Sequence, residues 1–417
     1  MKNRKFLLSI LDVIICLGQR NVAFRGSWEE ESEKESDDIR ETLLTKVKDA
    51  KYFSLLADES MDISGTQQMS ICICYVTGTG EKTEISEDFL GFCPLPKQDA
   101  ATITEAILRQ LTEMGLQASF LRGQGYDGAS TMSGQVSGVQ TRIQQLYPRA
   151  VYTHCRSHAL NLVVVHGCSD IPVVRNIMTI IEKIAVFFSA TAARKAALQE
   201  QCTAAEHSRT RAAGIPLMSD TRWGTRGTTL CAFVEKFSAV HSVLRAMETE
   251  PTSISGKAFN LRQSMESFET IITAVTTNHV LAYMQPLTKQ LQATNLDIIS
   301  AYQEARNVRD VIAQQRCEKG FRLCFQKATD LAKSVNVVPT KRRISVKQSY
   351  RASVPTESVE DHYRVNLFYP FIDHIISELD GRFAERNEPA MLAAYLVPAD
   401  LEKLTDERET ELIQWYN

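Results

Sequence analysis

The 417-residue chain has only three tryptophans, and none of its ten cysteines forms a Cys-x-x-Cys pair. Without paired spacing, neither a zinc ribbon nor a disulfide framework is indicated. Cys72 and Cys74 alternate with apolar residues in "SICICYV", where cysteine acts as a small buried hydrophobe, as expected of a reducing compartment. No run approaches the ~20 apolar residues a bilayer-spanning helix needs. The opening "MKNRKFLLSILDVIICLG" imitates a secretory signal. Asp12 interrupts it and no small-residue cleavage site follows, so a buried amphipathic helix is expected there. Charge of either sign is also not in excess: 47 Lys/Arg face 50 Asp/Glu, a net −3. That balance excludes a simple polycationic nucleic-acid coat. The hydrophobic fraction of 44% and charged fraction of 23% are those of a soluble globular protein long enough for two or three domains.

The charge that is present is uneven. "WEEESEKESDD", residues 28–38, holds seven acids and one lysine, and reads as a loop or linker. Residues 139–226 hold eleven Lys/Arg against five Asp/Glu, which permits a polyanion-binding face. Between these regions the periodicity is informative. "DIRETLLTKVKDA" has helical spacing. "YFSLLADES", "MSICICYVT" and "ISEDFLGFCPL" read as three strands with short separators, hence an antiparallel meander. "DAATITEAILRQLTEMG" is a helix opened by an Asp cap and closed by Gly115. "FLRGQGY", a helix over 136–146, the strand "AVYTHC" and the helix "HALNLVVVHG" follow. This order is the α/β arrangement of an RNase H-like mixed sheet. From residue 172 to 382 strand signals vanish, and the periodicity predicts a large all-helical domain with a break at Pro370. The expected domains are therefore 1–38 (helix and acidic linker), 39–171 (first part of the core), 172–382 (helical insertion) and 383–417 (a C-terminal helical segment).

"GQGYDGASTMSG", residues 123–134, places one acid, Asp127, among four glycines. Pairing of the fourth strand with the first brings Asp127 and Asp58 to neighbouring strand ends. Carboxylate oxygens are hard ligands for Mg²⁺ or Mn²⁺, and a two-metal site cleaves phosphodiesters. An Asp-Gly turn has the same composition, so the residues alone leave both readings open.

Four ordered motifs carry a resemblance. "LLADESMDISGTQQMSICICYV", "LRGQGYDGASTMSGQVSGVQTRIQQLYPRAVYTHCRSHALNLVV", "LMSDTRWGTR" and "YRVNLFYPFIDHIISELDGRF" together resemble the hAT superfamily of DNA transposases. The likeness is to the branch found in vertebrate transposon-derived proteins of the zinc-finger MYM type. It implies an RNase H-like core interrupted by a large helical insertion, a nuclear location and a metal-dependent ancestral chemistry. By this resemblance Asp58, with Asp62 as a substitute, is the first catalytic and metal-binding acid and Asp127 the second. Cys155 and His158 match a Cys-x-x-His motif near the active site, and Trp223 matches a tryptophan that stacks on flipped bases. Lys341, Arg342 and Arg343, in the acid-free loop "KRRISVKQSYR", are candidate phosphate contacts on charge grounds.

The family's third acid, a glutamate in its dimerisation region, is not matched; Glu385-Arg386 falls too early. The N-terminal zinc finger of the family is not matched either. The expectation is a catalytically inactive transposase-like protein that binds DNA or protein partners, with weak Mg²⁺ or Mn²⁺ binding and dimerisation open. An active nuclease subunit and an interaction scaffold are the alternatives.

Overall fold

The computed structural model describes residues 29–61, 64–78, 84–204, 214–218, 224–249, 254–291, 298–341, 354–383 and 404–416. Trp223, Asp62, Arg342, Arg343, Glu385 and the expected N-terminal helix lie outside them. The chain divides into two compact units, Met1–Gln124 with Arg142–Ala150, and Gly125–Thr141 with Val151–Asn417.

In the first unit, α1 (Glu29–Ala50) precedes β1 (Phe53–Met61), β2 (Gln67–Thr77) and β3 (Glu84–Pro94). The acidic run expected as a linker is instead the first part of α1. Glutamate and lysine are good helix formers, and carboxylates at a helix N-terminus are favoured by its dipole. α2 (Ala100–Glu113) follows, capped by Asp99, whose carboxylate accepts from the Thr102 N–H at 2.9 Å. Gly115 closes it at φ +67°, the left-handed conformation a glycine tolerates.

The five-stranded sheet has the order β3-β2-β1-β4-β5, with β4 at Leu121–Tyr126 and β5 at Val151–His154. β1, β2 and β3 form the expected antiparallel meander. Alternation in β2 sends Met69, Ile71, Ile73 and Tyr75 into the core, while Ser70, Cys72 and Cys74 stay half-buried on the opposite face. Leu55 of β1, Val47 of α1 and Ile103, Ile107 and Leu111 of α2 are also buried. The fold is mixed α/β, a five-stranded sheet with a large helical region.

In the second unit, α3 (Ser130–Ser133) follows β4, and α4 (Val139–Leu146) begins. After β5 come α5 (Arg156–Ser169), α6 (Pro172–Ser189), α7 (Ala192–Ala204), α8 (Thr225–Glu235) and α9 (Phe237–Glu248). Next are α10 (Ser255–Met265), α11 (Phe268–Ala282), α12 (Met284–Gln290), α13 (Ile298–Gln315) and α14 (Glu318–Ser334). α15 (Val359–Tyr363), α16 (Tyr369–Arg382) and α17 (Asp406–Tyr416) close the series. One apolar cluster runs through this unit from Ala159 to Phe383. Gly167 of α5 packs against Ile375 of α16 so closely that a Cβ would lie 2.4 Å from its Cδ1.

Pro370 does not break the last helical segment. A π-helical turn, Arg364–Phe368, joins α15 to α16, and Pro370 sits in the first turn of α16. The wider turn removes the need for an ordinary i→i−4 bond at the proline. Asn366, in that turn, accepts from the Val354 N–H at 2.7 Å and donates to the Val354 carbonyl at 3.0 Å.

Candidate functional site

Residues at the ends of β4 and β5 are knitted together by their backbones. Cys155 N–H donates to the Tyr126 carbonyl at 2.9 Å, continuing the pairing past both strands. The Tyr126 and Tyr152 rings stack with centroids 6.1 Å apart. Tyr126 is 1% exposed, and burial, then the neighbouring Tyr152, holds its phenol well above the usual range.

Asp127 follows directly and is half-buried. One carboxylate oxygen accepts from the Ala129 N–H at 3.1 Å, an Asx turn that bends the chain into α3. Its own carbonyl accepts from the Tyr152 hydroxyl at 3.1 Å. Ser133 completes the turn by donating its hydroxyl to the Gly128 and Ala129 carbonyls, both at 3.0 Å.

The glycines have specific tasks here. A Cβ on Gly128 would lie 2.8 Å from His154 Nε2, so only glycine lets that imidazole lie across the turn. Gly134 and Gly138 approach each other backbone to backbone: a Cβ on Gly138 would lie 2.5 Å from the Gly134 nitrogen and oxygen, and one on Gly134 would lie 2.6 Å from the Ser130 carbonyl oxygen. His154 and His158 have ring centroids 5.7 Å apart. Cys155 occupies the N-cap position of α5, and His158 lies in its first turn. The Cys-x-x-His pair is therefore built around a helix start, with the histidine towards Gly128. Sequence reasoning missed Tyr152 and His154; their two-residue spacing in "VYTH", on the strand leading to the motif, is the signal that could have found them.

Asp58 belongs to the first unit. It sits within β1, opposite Ser70 of β2, and its side chain is exposed. Strand β1 continues three residues beyond it to Met61, so Asp58 is not at the strand end expected from the sequence. Cys72, on the same face, has its thiol pushed up to about 11 by burial, then by the charges of Glu87, Asp58 and Asp88. Lys341 is half-buried and its ammonium donates to the Thr356 and Glu357 carbonyls at 2.6 and 2.9 Å. It was expected as an exposed phosphate contact; instead it clamps the chain leading into α15.

Among the described residues no group of three or more His, Cys, Asp or Glu is arranged to hold a metal ion. Nor do the described residues include a helix long and apolar enough to cross a membrane. Nine cysteines are described and all are free thiols. Burial pushes Cys168 and Cys324 up to about 12, which makes them weak nucleophiles.

Comparison with known proteins gives this arrangement a context. The chain is 27% identical over 380 residues to the human 52 kDa repressor of the inhibitor of the protein kinase, covering 88% of this chain and 49% of that protein. The mouse protein of the same name is 27% identical over 379 residues with the same coverage. The chain thus spans about half the length of the curated relatives it matches. Residues 35–138, which hold β1 to β4, Asp58 and Asp127, match the family described as ZMYM1/FAM200, RNase-like domain, a transposase-derived domain family.

Proposed function

We propose that this chain acts as a binding protein built on a transposase-derived RNase-like domain, recognising DNA or a protein partner without cleaving DNA. The observation that carries the reading is the use made of Asp127. Its carboxylate closes a turn by accepting from Ala129 N–H, and its carbonyl anchors Tyr152. A local structural task of this kind accounts for the acid and its glycines without a reaction. The relatives support the same direction, since their name describes a repressor. A nuclear location follows from the same likeness.

Asp58 and Asp127 remain the residues to which divalent-ion binding would be assigned, and we expect it to be weak. A phosphoryl-transfer site needs its ions fixed in an open and oriented geometry. The described residues supply no cluster of three ligands for that purpose. DNA contact is assigned to Trp223, Arg342 and Arg343, while the Lys341 ammonium is held by the Thr356 and Glu357 carbonyls.

The experiment is a duplex-binding titration at several salt concentrations, with wild type and an Arg342→Gln/Arg343→Gln variant. Phosphate contacts predict affinity that falls with salt and a shallower salt slope in the variant. Unchanged affinity and slope would remove this loop from the binding face. No DNA binding at any salt concentration would leave a protein partner as the reading to pursue.

A further inference from the structure

We propose that β3 is a docking edge that takes an added strand from a basic peptide in which apolar and Lys/Arg residues alternate at every second position. Among the described residues, β3 is the terminal strand of the sheet and has β2 as its hydrogen-bonded neighbour. Its other side therefore presents a row of N–H and C=O groups of the kind that templates strand addition.

The side chains sort this edge by chemistry. Ile85, Glu87, Phe89 and Phe92 stand opposite Val76, Cys74, Cys72 and Ser70, all on the sheet face that the buried Ile73 and Tyr75 turn away from. Ile85 is 66% exposed, Phe89 50% and Phe92 60%. The two phenylalanine rings meet edge to face at 4.9 Å. Exposed aromatics on a sheet edge are unusual, because natural edges are blunted by lysine, proline or bulges. Here a register shift falls between Ile71 and Cys72, opposite Leu90, and Pro94 ends the strand. The segment from Glu84 to Phe89 before them is regular and contains neither lysine nor proline.

Charge selects the occupant. β3 carries Glu84, Glu87 and Asp88 and no Lys or Arg. Asp88 is occupied by the Tyr75 hydroxyl at 2.7 Å on the other face, whereas Glu87 stands exposed between Ile85 and Phe89. An incoming strand with apolar residues over Ile85 and Phe89 and a Lys or Arg over Glu87 matches this pattern at a spacing of two. A second copy of β3 would set carboxylates against carboxylates, and nucleic acid would meet the same repulsion.

The probe is a short capped peptide of the pattern Val-Thr-Lys-Thr-Val-Thr-Lys, in which valine and lysine alternate along one face of the added strand, titrated against the full chain by fluorescence anisotropy. Two control peptides accompany it, one N-methylated at alternate amides and one with glutamate in place of lysine. Saturable binding is expected, lost with both controls and weakened about tenfold or more in Phe89→Ser, as truncating an aromatic anchor does. Glu87→Lys, an exposed substitution that leaves the apolar surface intact, should weaken it as well. Hydrogen exchange should show new protection over residues 84–89 when peptide is present. Binding that survives N-methylation, or that neither substitution changes, would overturn the proposal. Self-association abolished by Phe89→Ser, without peptide binding, would overturn it in favour of a second copy.

Discussion

The sheet unit and the helical unit satisfy their backbones in opposite ways. Each helix of the second unit pairs its main chain internally, and its apolar faces share one cluster from Ala159 to Phe383. Its outer surface is tied by side chains, as where Arg309 grips Asp380 through two bonds of 3.0 and 3.2 Å, and Arg316 grips Asp373. The first unit buries one face of its meander but leaves β3 as an edge with exposed phenylalanines. Stability should therefore concentrate in the helical unit and unfulfilled binding capacity in the sheet.

Matched phenylalanines test that contrast with the largest expected effect. Phe321 is fully buried, with its ring against Phe325 and Phe368. Phe321→Ala should cost about 3–5 kcal/mol of unfolding free energy. Phe89→Ala, on the exposed edge, should change stability by no more than about 0.5 kcal/mol. Denaturant titration of both variants checks this, and equal losses would break the contrast.

A smaller effect is expected at the turn after β4. Gly128→Ala drives a methyl into the His154 imidazole and should cost about 1–3 kcal/mol by overpacking. The cost should fall to near zero when His154 is truncated to alanine in the same chain, which thermal unfolding of the double variant would measure.

Mild acid separates the units by smaller steps. Burial holds the His279 and His362 imidazoles below their ordinary 6.5. The unfolded chain then takes protons first, so their contribution is complete above about 6.5 and is lost progressively as pH falls below it. At Glu266, burial pushes the carboxyl up, but hydrogen bonds from His241 and Arg262 outweigh it and hold it below its ordinary 4.5. That contribution is lost as pH falls below 4.5 towards the lower folded value. In the sheet unit, the Thr102 N–H and hydroxyl hold the Asp99 carboxyl below its ordinary 3.8. Hydrogen exchange between pH 7 and 5 should therefore show loosening in helices α11 and α15 before α2; the reverse order would contradict these assignments.

Asp127→Asn should change stability by less than about 1 kcal/mol, because an asparagine oxygen closes the same turn. Asp127→Ala removes the acceptor for Ala129 and should cost about 1 kcal/mol more than the asparagine variant. Thermal unfolding of the pair distinguishes the two, and equal losses would show that the turn does not need the side-chain oxygen.

The meander was legible because β2 alternates "MSICICY" without interruption, and the Asp99 cap and Gly115 stop mark α2 by their own chemistry. Three features were not. The acidic run at 28–38 was read as a linker by its charge, although its glutamates propagate a helix and suit its N-terminus. Pro370 looked like a break because a π turn has no simple sequence signature. Lys341 belongs to a basic run, yet its ammonium turns to two backbone carbonyls fifteen and sixteen residues on. At the site, Asp127 stood out by its glycine frame. The reason for Gly128 is a histidine from a strand twenty-six residues further along, and such tertiary contacts leave no local pattern.

The central claim, binding without cleavage, is tested most directly by incubating the purified chain with nicked and intact duplex DNA in Mn²⁺ or Mg²⁺, beside Asp127→Ala. The account predicts little or no strand cleavage by either protein, with only weak, Asp127-dependent ion binding. Robust cleavage that disappears in Asp127→Ala would contradict it and make the chain a metal-dependent nuclease.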